Sequence, residues 1–456
     1  MGGSSAQYTL RSSRVVLPSG VRAADVHVSD GRIVEIVEHP NLPPEGGSHR
    51  IEKADLPAEA GSHGIVQDVG DLVIMPGLVD THVHVNDPGR TEWEGFETAS
   101  AAALAGGITT IVDMPLNSVP ATTTRRALEV KREAARAARV DVEFWGGVVP
   151  GNAGELDALA DEGVLGFKCF MSPSGVDEFV AVEEADLRQA LPILKRRGLP
   201  LLVHAEFPAA LRPIPAAADT RAYATWLDSR PPGAELEAIA ILIALCREFR
   251  TRIHIVHLAA AEAVPMLRTA RLEGLPITVE TCPHYLTFAA DEIPDGATLF
   301  KCAPPLRDRA NRDRLWQALV DGDIDLIATD HSPCPPALKG DNDFVAAWGG
   351  IASLELSLPI VWTGASSRNV PLFRVAEWLC SAPAALAGLH ARKGVIAPGR
   401  DADLVIWDPD AEFVVDESRL RQRHKRTPYA GRRLRGRVVE TYLRGNVVYR
   451  EGASIP

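Results

Sequence analysis

From residue 72 onward, short apolar runs alternate with longer stretches whose apolar residues recur at helical spacing. The runs are 73–85 (VIMPGLVDTHVHV), 108–114 (ITTIVDM), 140–149 (VDVEFWGGVV), 164–170 (VLGFKCF), 199–205 (LPLLVHA), 252–258 (RIHIVHL), 276–281 (PITVET) and 324–330 (IDLIATD). Helical stretches fall between them, at 124–138, 184–197, 235–249, 262–272 and 309–319. Most of the runs are apolar on both faces, as strands of a parallel sheet covered by helices must be. Eight such strand–helix units predict an α/β fold, a (β/α)8 barrel, over residues 75–390. The chain ends read differently. Residues 14–37, 400–409 and 438–451 are β-rich and broken by turns at Gly20, Gly31 and 444–446. They predict a small β-sandwich domain built from 1–74 and 391–456. A Pro- and Gly-rich near-repeat, LPPEGGSH (42–49) and LPAEAGSH (56–63), reads as a surface loop insertion over 40–66. Its His49 and His63 lack acidic or cysteine partners at ligand spacing and read as solvated.

Composition narrows the function classes. Asp and Glu number 60 against 48 Lys and Arg, a net charge of −12, which argues against a nucleic-acid surface. No apolar run is long enough to cross a membrane, and the N-terminus lacks a secretory apolar segment, so the expectation is a cytoplasmic enzyme. The six cysteines form no C-x-x-C pair and read as reduced thiols. The basic cluster 421–426 (RQRHKR) reads as a solvated or interface segment.

Barrel enzymes carry their chemistry at the C-terminal ends of the strands. Those ends hold His82 and His84 (first run), Lys168 (fourth), His204 (fifth), His257 (sixth) and Asp330 (eighth). Residues i and i+2 on a strand point the same way, so His82 and His84 can share one cation. His254 and His257 fall on opposite faces. His257, nearer the strand end, is the expected ligand, and His254 is expected to face the helices. Lys168 has two readings. It is either paired with a carboxylate or, desolvated beside cations, a neutral amine that adds carbon dioxide to form a carbamate. Cys282 and Cys302 read as buried packing residues rather than soft ligands, and His284 and His331 as groups hydrogen-bonding at the site.

MPGLVDTHVHV (75–85), GFKCF (166–170), LLVHAE (201–206), IHIVHL (253–258) and ATDHSP (328–333) resemble the cyclic amidohydrolase branch of the amidohydrolase superfamily, which includes dihydroorotases, hydantoinases or dihydropyrimidinases, and allantoinases. The resemblance implies two divalent cations, most simply zinc with cobalt, manganese or nickel as alternatives, bridged by a carboxylated lysine and a hydroxide. His82, His84, Lys168 and Asp330 would hold one cation, and Lys168, His204 and His257 the other. Asp330 would be the general base and acid. The resemblance also implies a homotetramer.

Dihydroorotases resemble H-x-H-x-R, but Asn86 stands at the arginine position, so a substrate carboxylate would lose a charge-assisted pair worth up to about 3 kcal/mol. A small neutral cyclic ureide fits better. HVHVNDPGRTEWEGFETAS (82–100), DMPLNSVPATT (113–123), KCAPPLRD (301–308) and HKRTPYAG (424–431) are similar to the allantoinase pattern, which implies ring opening of (S)-allantoin to allantoate in purine catabolism. Arg90, Trp93 and Glu94 read as a packed loop at the barrel mouth. Asn117 and Ser332 are candidate contacts to the ureide. The rival readings are a hydantoinase or dihydropyrimidinase acting on another ring, and a non-catalytic structural relative.

Overall fold

Strand Val73–Pro76 joins the two ends of the chain. It runs parallel to Arg14–Val15 and antiparallel to 404–407. Around it, a mixed sheet runs in the order Asn446–Arg450, Arg433–Leu443, Leu404–Val414, Val73–Pro76, Tyr8–Leu17, Gly20–Ser29, Arg32–Glu38. Leu10, Val26, Ile33, Leu404, Ile406 and Tyr442 form its own buried core. Two hairpins close on type I′ turns: Asp30 and Gly31 have φ of 54° and 73°, and Arg444 and Gly445 have 46° and 74°. This computed structural model describes residues 7–39, 59–61, 64–340 and 342–453. Residues 40–58 and 62–63 of the expected insertion, including His49 and His63, lie outside the described residues. The rest of that stretch is not loop: Glu59–Gly61 pairs with Gly64–Asp68, which extends the sheet alongside 8–11. The β-branched run Ile65–Val66 suits a strand paired on both sides.

The apolar run 73–85 is therefore two strands. Gly77 divides them, and a Cβ there would lie 2.4 Å from the Thr109 side chain, so only glycine lets the chain turn so close to its neighbour. Beyond it the barrel strands are β1 (Leu78–Val83), β2 (Ile108–Asp113), β3 (Asp141–Phe144), β4 (Phe167–Phe170), β5 (Leu201–His204), β6 (Ile253–Ile255), β7 (Ile277–Thr281) and β8 (Leu326–Ile327). Consecutive strands pair in parallel from β1 to β3 and from β4 to β8. Strand β3 reaches β4 through its continuation, Gly146–Gly147. The closing seam between β8 and β1 is short: Val83 bridges His331, and the Asp80 carboxylate accepts the Thr329 N–H at 3.2 Å. A side chain thus completes a ladder that the two-residue β8 cannot.

Cap residues mark several of the helix ends. Thr124 accepts from Ala127 N–H to start Arg125–Ala134, and Asp308 accepts from Asn311 N–H to start Arg309–Asp321. Glu184–Arg197 ends on Gly198 at φ 70°. Alternation sorts the strand side chains into two layers. Phe167, Cys169, Leu201, Val203, Ile253 and Ile255 pack outward with Leu187, Leu191, Ile239 and Leu242 of the helices. Trp145, Phe170, Leu202, Val256, Leu326 and Ala328 fill the interior. Lys168 and Leu202 are register partners, so Lys168 points inward with it. Barrel and β domain are tied by Lys393, whose ammonium lies between Asp141 at the start of β3 (2.7 Å) and Asp403.

Candidate active site

Alternation carries His82 and His84 off β1 toward the interior, and Asp330 arrives there from β8 in step with Leu326 and Ala328. The two imidazoles present Nε2 to Asp330 Oδ1 at 3.2 and 3.3 Å. Asp330 has φ 46°, a conformation a non-glycine residue holds only where its surroundings impose it, as functional sites often do. His204, inward from β5, stacks on Phe170 with ring centroids 4.5 Å apart. Its Nδ1 faces His257 Nε2 at 3.0 Å, and the His82 and His257 rings are 5.5 Å apart. All of these groups are buried.

Lys168 has no exposure, and its Nζ has no hydrogen-bond partner. A buried charge without a partner is costly. Burial accordingly pushes its pKa down to about 8, against the pull of Glu280 and Asp330. Burial, then the Lys168 charge and Arg230, drive His204 well below the usual imidazole range, and burial, His204 and Lys168 do the same to His257. Both are therefore neutral, with a lone pair to give. Burial would raise Asp330, but the His82 and His84 imidazoles hold it well below the usual carboxylate range. His82 is the converse: burial would lower it, and the Asp330 and Glu280 carboxylates bring it up to about 9.

Two carboxylates orient the rings. Glu206, two residues after His204, accepts from its Nε2–H at 2.7 Å and is itself paired with Arg230, which leaves His204 Nδ1 free. Glu280 on β7 has no exposure and receives His82 Nδ1–H and His257 N–H on Oε1 and His254 Nε2–H on Oε2. Rings fixed this way through one nitrogen offer the other as a ligand. His82, His84 and Asp330 bring three ligand atoms within 4.8 Å of one another. The orphaned Lys168 amine and the facing ring nitrogens, His204 Nδ1 and His257 Nε2, supply a second donor cluster beside them. That donor set fits two divalent cations.

The profile of the amidohydrolase family matches residues 73–448. The chain belongs to the amidohydrolase family. It is 49% identical to a protein named allantoinase from Streptomyces avermitilis, over 98% of this chain and 97% of that one. With an allantoinase of Arabidopsis thaliana it shares 45% identity over 98% of this chain and 88% of the relative. Among solved structures it is similar to the L-hydantoinase (dihydropyrimidinase) from Arthrobacter aurescens, with TM-score 0.88 and 33% identity over 98% of this chain and 97% of that one.

This amidohydrolase departs from the sequence expectation at His254. It does not face the helices: its Nε2 meets Glu280 at 3.0 Å and its Nδ1 meets the Thr278 hydroxyl at 2.8 Å, inside the barrel. The register explains this, because His254 pairs with Leu202 and Thr278. His257 would by parity face away. It reaches the site because the backbone leaves the strand at φ 40°. Glu280 and Glu206 were not anticipated. The signal was the i, i+2 rule itself, which places Glu206 on the face of His204 and Glu280 on that of Thr278.

Asn117, at φ 66°, sets its amide 3.4 Å from His84 Nδ1. Ser332, on the same parity as Asp330, is fixed by its N–H to Ile351 O at 3.1 Å. Asn86 donates to Pro333 O at 3.2 Å. His331 accepts the Ser353 and Leu354 N–H groups on Nδ1 and lies on the outer side of the seam rather than hydrogen-bonding at the centre. Arg90 bridges Glu178 and the Asn117 carbonyl, and Trp93 packs edge-on against Trp348, as a packed mouth loop should. The cluster 421–426 is an internal clamp: Arg421 binds Glu355, Arg423 binds Glu94 and His424 meets Glu92 O.

Glu280→Gln should weaken divalent-cation binding by about 10–100-fold, read by equilibrium dialysis and metal analysis. Beneath β1 and β2, Lys131 is fully buried and donates to Asp113 Oδ2 at 2.6 Å, while Asp113 Oδ1 receives Val85 N–H. Lys131→Met leaves a buried carboxylate unpaired and should cost about 3–5 kcal/mol in urea unfolding.

Proposed function

We propose that this chain opens the hydantoin ring of (S)-allantoin by hydrolysis to give allantoate, at two divalent cations, most simply zinc. His82, His84, Asp330 and Lys168 would hold one, and Lys168, His204 and His257 would hold the other. Lys168 would do so as a carbamate. The observation that carries the reading is the buried, partnerless Lys168 amine set among four histidines and Asp330, in a chain 49% identical over nearly its whole length to a relative named allantoinase.

When bound, such cations lower the pKa of coordinated water toward about 7 and polarise a carbonyl oxygen. The residues supply the rest. Glu280 and Glu206 hold His82 and His204 in the tautomers that ligate. Asp330, kept ionised by His82 and His84, takes a proton from the attacking water and returns it to the ring nitrogen as the C–N bond breaks. The products are a carboxylate and an open ureide. Asn117 and Ser332, on the same rim, are assigned contacts to the substrate's amide groups. Asn86, a neutral side chain where an arginine would hold a carboxylate, supports a neutral ring. The reading extends to a homotetramer, on the strength of the family resemblance, and to a reducing cytoplasmic setting, which the six free cysteines support. No described helix is long and apolar enough to cross a membrane.

Steady-state kinetics on allantoin, hydantoin and dihydrouracil test it. A site whose polar groups match the ureido arm should favour allantoin in kcat/KM by at least about 100-fold. Equal or better turnover of hydantoin or dihydrouracil would instead make the chain a hydantoinase or dihydropyrimidinase.

A further inference from the structure

One aromatic side chain roofs the barrel mouth. Trp348, on the segment that follows β8, meets Trp93 of the segment after β1 edge-on, with centroids 4.9 Å apart. The same ring lies 3.8 Å from where a Cβ on Gly175, in the segment after β4, would stand. In an eight-stranded barrel β4 and β8 stand on opposite sides, so a side chain that reaches from one segment to the other lies across the mouth. Arg90 and Glu178 join the β1 and β4 segments beside it. Two buried lysines fix the backbone that carries the indole. Lys339 donates to Trp348 O at 3.0 Å and Gly350 O at 2.5 Å, and Lys301 to Val345 O at 3.0 Å and Ala347 O at 2.5 Å. Trp348 N–H donates to Leu338 O at 2.7 Å.

Trp348 is partly exposed, yet its indole nitrogen is buried and has no hydrogen-bond partner. Three other barrel indoles, Trp145, Trp226 and Trp316, each donate to a backbone carbonyl. An indole N–H can only donate, and nearly all buried donors are satisfied, so this one calls for an acceptor that the protein does not supply. The ring of a cyclic ureide has to lie among Lys168, the histidines and Asp330 to be opened. That leaves the ureido arm directed outward, toward the roof. We propose that Trp348 is a specificity-determining residue, whose indole N–H donates to the carbonyl oxygen of the ureido arm and so selects ureides that carry an acceptor there. The inference rests on the reading given under Proposed function and names the group that reads the arm. The arm carbonyl is unchanged as the ring opens. Its hydrogen bond is therefore as strong in the ground state as in the transition state, and it acts on KM rather than kcat. The lysine staples hold the donor in place before the substrate arrives, which lowers the ordering cost of making that bond.

The test is steady-state kinetics of metal-loaded enzyme on allantoin and on isobutylhydantoin, whose arm copies the shape of the ureido group without a polar atom. Trp348→Phe keeps an aromatic ring against Trp93 and removes the donor. It should raise KM for allantoin by about 10–100-fold, the cost of leaving a buried carbonyl without its donor, with kcat and metal content retained. Its kcat/KM on isobutylhydantoin should be nearly that of the wild type. Replacing Trp348 by benzothienylalanine, which keeps the bicyclic ring and exchanges only the N–H for sulfur, should do the same, and it carries the test should Trp348→Phe not fold. Trp407 also has an unpartnered indole nitrogen, but it lies in the β domain against Trp362, so Trp407→Phe should leave the preference between the two substrates unchanged. An unchanged KM for allantoin in either Trp348 variant, or an equal loss on both substrates, would overturn the proposal while the allantoin reading stands. Wild-type enzyme that turns over isobutylhydantoin as well as allantoin would overturn that reading and the proposal with it.

Discussion

Asp330→Asn lowers kcat on allantoin by about 10²–10⁴-fold and leaves KM nearly unchanged, the range expected when a positioned proton carrier is removed. The carboxylate lies 3.2 and 3.3 Å from two imidazole nitrogens that hold it ionised, so its oxygens carry no proton when the water attacks. Asparagine keeps an oxygen toward His82 and His84 but cannot take up or release that proton. An interaction made only in the transition state lowers kcat and kcat/KM together. Metal analysis of the same preparation separates this effect from loss of a ligand. Near-normal kcat with both cations present would remove Asp330 from the chemistry.

Lys168→Ala, the second large effect, should abolish turnover and weaken cation binding by at least about 100-fold, because a bridging donor outweighs the outer partners whose loss costs 10–100-fold. The present amine is buried among histidines that its charge disfavours, with nothing to receive its protons. Conversion to a carbamate replaces that cation with an anion bearing two oxygens. A short carboxylic acid added to Lys168→Ala should restore part of the activity by occupying the vacated space. Lys168→Arg, which cannot add carbon dioxide, should gain nothing from it. Wild-type cation affinity in Lys168→Ala would exclude a bridging role.

How much of this was legible in the sequence follows from strand geometry. His82 and His84, Lys168, His204 and Asp330 could be placed because alternation dictates where each residue of a strand points, and the barrel fixes which end matters. The same rule misplaced His254, since the sequence does not reveal that β6 leaves the sheet after Ile255 and turns His257 inward at a positive φ. Glu280 was hidden in a run, ITVET, whose only sequence message was a strand. Its meaning is tertiary, because His82, His254 and His257 come from elements far apart in the chain. The split of 73–85 into two strands was equally invisible to hydropathy. Val73–Pro76 and Leu78–Val83 are both fully buried, and what separates them is the backbone approach at Gly77.

The proposed chemistry requires the Lys168 side chain to end in a carbamate that joins two cations. Diffraction from crystals of active, metal-loaded enzyme tests it most directly. The expected density is a planar extension on Nζ whose two oxygens each meet one metal peak, with His82, His84 and Asp330 around one and His204 and His257 around the other. A bare amine at position 168 in such crystals would contradict it.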